Sequence, residues 1–177
     1  PKRWASLVGL KIGDEVEVVE LPEFLLIRPA KVREPGGVAR IRCNGDPNFL
    51  FRALLTSYLD GYEEIVLESS RGFTLEERKA LLSVLKKVMG LEIIEESVNR
   101  VVVKNFSDTS DLSVGKAVRR EYCMVASMHN DLNRALERED SDLLVQVSER
   151  DEAVDRLYFL VVRHLRVMFA NPALAAE

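Results

Sequence analysis

The chain has 177 residues, 25 basic and 29 acidic side chains, a net charge of −4 and a pI of about 5.4. With 47% hydrophobic and 31% charged residues, the composition excludes a disordered chain, and the acidic balance excludes binding nucleic acid along the whole length. No apolar run of about 18 residues is present for a membrane span, and no signal peptide opens the sequence, so a cytoplasmic protein without membrane insertion is expected.

The first stretch, residues 1–10, reads as a short helix ending at Gly9. Residues 15–21 and 24–28 follow as two strands. Val16 and Val18 alternate with Glu15 and Glu17, the pattern of a half-buried strand. Pro22 and Glu23 fall in the turn, and Pro29 stops the second strand. A short helix and a hairpin cannot make a core alone, so this unit needs a second copy or another domain. Residues 30–37 read as a linker, with Pro35-Gly36-Gly37 as the strongest breaker cluster.

From Val38 the order is β-α-β-α-β-β. Asp46 and Pro47 open the first helix as N-cap and first helical residue. Thr74 and Glu77 form a capping box for the second, which Gly90 ends, and the last two strands turn at Val98-Asn99. This order predicts one four-stranded sheet with two helices on one face, and no phosphate-cradling glycine pattern accompanies it.

The last part reads as two long helices. The first starts near Ser113 with a stripe of Val114, Val118, Val125, Met128 and Leu132, interrupted by Glu121. The second begins after Asp140-Ser141 and runs to about Phe169, with Asn171-Pro172 beyond it. A joint of four to five residues predicts an antiparallel helical hairpin. In the second helix the apolar series Val147, Val154, Tyr158, Val161, Leu165, Met168 has an aspartate, Asp151, at one of its places, and Asp155 follows one turn later.

Two carboxylates four residues apart share a helix face and can hold a divalent or trivalent cation. They can equally form ion pairs with Arg150 and Arg156 in the first half of a helix, where the macrodipole tolerates negative charge. Nothing nearby supplies a nucleophile and base, so no catalytic residue and no enzyme is expected. Cys43 and Cys123 form no CxxC and His129 and His164 no HExxH, which points to free thiols in a reducing compartment and away from a zinc site built on them.

The segments together resemble known families. Residues Pro1, Lys2, Trp4, Gly9, Leu10, Lys11, Gly13, Asp14, Glu15 and Val16, with Leu25–Pro29, resemble the SpoVT/AbrB swapped-hairpin DNA-binding domain. Glu149, Arg150, Asp151, Asp155, Arg156, Leu157 and Tyr158 resemble the acidic metal motif of PhoU proteins. The joined order is similar to archaeal PhoU-type phosphate uptake regulators. The resemblance implies an α+β, multidomain chain: a partial AbrB-like hairpin (1–33), an α/β linker domain (38–106) and a PhoU-like helical hairpin (110–170). The AbrB-like unit lacks its usual first strand and the helical region is shorter than usual, so a fragment or a short family member is expected.

The resemblance further implies a homodimeric transcription regulator of phosphate uptake. DNA contacts at promoters would come from Lys2, Arg3 and Lys11. A metal (iron, zinc or manganese) would bind at Asp151, Asp155 and Glu149, and Glu121 on the neighbouring helix adds a fourth candidate carboxylate. The alternative is an adaptor that never touches DNA and modulates a phosphate transporter or a signalling kinase; the acidic pI favours it.

Overall fold

The computed structural model describes residues 2–7, 9–20, 25–29, 37–107 and 113–170. A six-residue helix α1 (Lys2–Leu7) precedes strands β1 (Val16–Glu20) and β2 (Leu25–Pro29). These pair antiparallel with Val18 opposite Ile27. Pro29 closes the strand from inside as its last residue, a place where its missing N–H costs little. The turn at 22–23 and linker positions 30–36 lie outside the described residues. The expected half-burial of β1 is not met within one chain. Val16, Val18, Leu25 and Ile27 share one face of the hairpin, and all four are exposed. Two strands cannot cover their own face, so this apolar surface needs a cover from outside the unit.

The central unit runs β3 (Val38–Cys43), α2 (Pro47–Leu59), β4 (Glu64–Ser69), α3 (Leu75–Lys87), β5 (Leu91–Glu96) and β6 (Arg100–Asn105). The sheet order is β3-β4-β6-β5, with β3 and β4 parallel and the other neighbours antiparallel. One face carries Ile41, Ile65, Leu67, Val101 and Val103 into a core shared with Leu50, Leu54 and Tyr58 of α2 and Leu81 and Val84 of α3. Arg40, Arg42 and Glu68 lie on the other face, where only Val66 and Val102 of the two middle strands are sunk.

Both helices start as their sequences specify. The Asp46 carboxylate accepts the Asn48 N–H at 2.9 Å, and the Thr74 hydroxyl accepts the Glu77 N–H at 3.1 Å. Glu77 does more than cap. Its side chain is fully buried; one carboxylate oxygen accepts the Thr74 N–H at 2.9 Å and the other the Gly45 N–H at 3.0 Å. An internal anion therefore ties the start of α3 to the loop that leads into α2. Helix α3 ends at Lys87, short of the expected Gly90, because Val88 turns extended and drops into the core.

Helices α4 (Val114–Arg138) and α5 (Ser141–Ala170) form the antiparallel hairpin. The joint is Glu139-Asp140 alone, not four to five residues. Glu139 takes the left-handed conformation (φ 54°) normally left to glycine, and the Asp140 side chain caps α5 by accepting the Leu143 N–H at 3.0 Å. Without a glycine the sequence carries no signal for so tight a turn.

The expected stripe of α4 is met in part. Val114, Glu121, Met128 and Leu132 of that stripe are sheltered, but Val118 and Val125 are exposed, and the seam runs through Ala117, Glu121, Met124, Met128, Asp131 and Ala135. On α5 the sheltered line runs Leu143, Val147, Arg150, Val154, Leu157, Val161 and His164, and Tyr158 and Leu165 are exposed. Both lines alternate steps of three and four, the spacing of a coiled-coil seam. Small and paired polar residues occupy it, so a count of large apolar residues misplaces it.

The second half of α5 also docks on the central unit. Phe159 and Val162 pack against its core. The buried Arg163 guanidinium donates to the carbonyls of Tyr58, Tyr62 (3.2 Å) and Gly61 (3.3 Å) and lies 4.8 Å from the centre of the Tyr58 ring. It thus satisfies carbonyls at and just beyond the C-terminus of α2. Arg166 pairs with Asp60 at 2.8 Å. Gly61 (φ +89°) has no room for a side chain: a Cβ there would stand 2.6 Å from Val167 Cγ2. Helix α5 therefore belongs to two units at once.

Candidate functional site

The acid pair of α5 lies just before this docked half. Asp151 and Glu149 are exposed. Asp155 is partly sheltered, and its Oδ2 meets Lys87 Nζ of α3 at 3.2 Å. Asp155 lines a cleft of about 360 Å³ between α3 and α5, with Lys79, Ser83 and Lys86 on one wall and Glu152 beside Asp155 on the other. Sequence reasoning did not find Lys87, which is 68 positions away, and no local pattern marks it.

The arginines on α5 do not neutralise the acid pair in the way their proximity in sequence suggests. Arg150 sits in the seam and pairs across it with Asp131 at 2.7 Å, and Arg134 adds a weaker ion pair to Asp131 at 3.8 Å. Asp131 is therefore already compensated. That pairing also sets the hairpin register: Glu121 lies near residue 160 of α5. By helix rise this is roughly 7 Å beyond Asp155 and roughly 14 Å beyond Asp151. Glu121 is on the sheltered side of α4 as expected, but the structure does not bring it to the acid pair. Among the described residues no group of three or more His, Cys, Asp or Glu side chains is gathered. Asp151 and Asp155 offer two carboxylates to a hard, partly hydrated cation, and a cation at Asp155 competes with Lys87.

His164 closes the seam. It is buried beside Arg163, and its Nε2 has no hydrogen-bond partner among the described residues. Burial first, and the Arg163 charge second, hold its pKa below the ordinary histidine value. Cys43 is buried under the central sheet, where burial and then the Glu77 charge push its thiol up to about 11; Cys123 is exposed.

The candidate DNA-binding residues lie together in sequence at the start of the chain. Lys2 and Arg3 are exposed on α1, and Lys11 is exposed in the following turn, where its N–H donates to the Asp14 carboxylate at 2.8 Å. Trp4 is half-buried, which suits packing better than base stacking. No helix among the described residues is long and apolar enough to cross a membrane.

Residues 118–177 match the family model described as the PhoU domain, a stretch that takes in most of α4 and all of α5. This match supports a PhoU-type protein. No curated protein and no solved structure matches the chain.

Proposed function

We propose that the chain is a cytoplasmic, phosphate-responsive regulator that acts by binding and not by catalysis. In this reading the N-terminal hairpin unit binds promoter DNA as a homodimer through Lys2, Arg3 and Lys11, and the PhoU-type helices sense through a cation or a partner protein. The observation that carries it is the PhoU-domain match over 118–177 in a chain whose Lys2, Arg3 and Lys11, ahead of the hairpin, are exposed. The uncovered face of Val16, Val18, Leu25 and Ile27 supports dimerisation, since a second copy can cover it. Asp151 and Asp155 would supply oxygen ligands to iron, zinc or manganese, with Glu149 and Glu121 too far round or along the helices to complete the shell. The cation would polarise and order the cleft between α3 and α5; Lys87 holds Asp155 until it binds.

The second reading is an adaptor for a phosphate transporter or signalling kinase. The net charge of −4 favours it, as does an exposed apolar line on α4: Val118, Tyr122, Val125 and Leu136. A mobility-shift assay on phosphate-transport promoters, at stated salt and across a phosphate titration, separates the two. A phosphate-dependent shift supports the regulator; no shift by the dimeric chain supports the adaptor.

A further inference from the structure

The two edges of the central sheet are built differently. Edge strand β5 has a register shift between Ile93 and Glu95 and carries Glu92, Glu95 and Glu96, features that block the addition of another strand. Edge strand β3 has no register shift and no acidic residue; its charges are Arg40 and Arg42, which oppose a basic strand and admit an acidic one. It runs in unbroken register with β4 from Val38 to Cys43, without proline or lysine, and no described strand pairs with its other side. Along that side lies a groove between β3 and α2. It consists of adjoining cavities of about 520 and 580 Å³ that share Arg40, Ile41, Phe49 and Ala53.

The groove is apolar at its floor and cationic at its rim. Phe49 and Ala53 of α2 lie below, and Arg40, Arg42 and Arg52 lie around it, together with Asp60, which Arg166 pairs at 2.8 Å. Glu68 is engaged by Arg40 at 3.7 Å. Arg42 and Arg52 have no ion pair among the described residues, in a chain that is acidic as a whole. We propose that β3 and its groove are a docking site for an extended acidic segment of a partner protein, which adds to the sheet as a fifth strand. Backbone pairing would supply affinity and side-chain alternation specificity. Side chains of the incoming strand on the open face meet Arg40 and Arg42 and should be carboxylates. Those on the helix face fall over Phe49 and Ala53 and should be small and apolar.

Neither edge of the central sheet of a second copy fits the groove well; β1, with Val16 and Val18 between Glu15 and Glu17, is the one described strand of a second copy with the required alternation, and sedimentation distinguishes it from a partner protein. Pairing β3 with β3 of a second copy about a two-fold axis sets arginine against arginine. The acidic edge β5 is bulged, and its Glu95 and Glu96 are held by Arg100 and Arg78.

Fluorescence anisotropy of the full chain with a labelled octapeptide of alternating valine and glutamate tests the proposal. Saturable binding is expected, weakened about tenfold or more by Arg40→Glu with Arg42→Glu, a variant at exposed positions whose circular dichroism should match wild type. The same variant should gain affinity for the alternating valine–lysine peptide. Equal binding of a peptide with its valines and glutamates in separate blocks, or of one N-methylated at alternate residues, would show charge attraction without strand addition and overturn the proposal. Absence of binding would overturn it too, as would sedimentation showing that β3 is covered by a second copy and released by the double variant.

Discussion

Each oxygen of the buried Glu77 carboxylate accepts a backbone N–H, one from Thr74 and one from Gly45, 32 residues away in sequence. The first bond is legible in the capping-box spacing; the second is not, because nothing local marks Gly45 as its donor. Glu77→Ala strands both donors and opens a cavity, so we expect a loss of about 4 kcal/mol in urea denaturation. A loss under about 1 kcal/mol would contradict this role. His164 makes a prediction of opposite kind, in pH. Its folded pKa is lowered, so below about pH 6.5 the unfolded chain binds a proton that the folded chain resists. Stability from this group is therefore complete above about pH 6.5 and declines as the pH falls below it. Thermal melts at about pH 7.5 and 5.5 should show that decline, and His164→Leu should reduce it; an identical decline in the variant would assign it to other groups.

At the scale of elements, helix α5 shows both what the sequence discloses and what it hides. Its existence, its length and the anomaly of acids beside an apolar stripe are all legible. Its orientation is not. The sequence offers two adjacent heptad lines, and the choice between them is made by Ala117 and Ala135 on α4 and by the Asp131–Arg150 pair, all of which lie outside the large apolar residues that a stripe is read from. The result turns Asp151 outward and leaves Asp155 to Lys87. We predict that Asp151→Asn with Asp155→Asn abolishes bound transition metal and, since the Lys87 pair is half-exposed, changes stability by less than about 1 kcal/mol. Lys87→Met should raise metal uptake by removing the competitor. Elemental analysis after incubation with iron, zinc and manganese checks both; a wild type that takes up none of them leaves Asp151 and Asp155 as ion-pairing acids.

For the whole molecule, the order of elements and the central sheet were readable from periodicity, caps and turns. The way α5 joins the units was not, because Arg163 finds its acceptors about a hundred positions back and its sequence neighbours look like any helix face. Gly61→Ala probes that joint. The new Cβ meets Val167 and the backbone is left-handed, so roughly 2–4 kcal/mol of stability should disappear, with faster hydrogen exchange confined first to the second half of α5. Unchanged exchange there would mean that α5 is not held at this position.

Whether the chain is a DNA-binding regulator is decided by the salt dependence of promoter binding. The measurement compares the wild-type chain with the Lys2→Ala, Arg3→Ala, Lys11→Ala variant. Log affinity should fall linearly with log salt, with a slope shallower by about 0.9 for each phosphate that the variant no longer neutralises. An affinity and slope unchanged in the triple variant would remove these residues from the interface. No binding by a dimeric wild type at low salt would contradict the regulator and leave the adaptor.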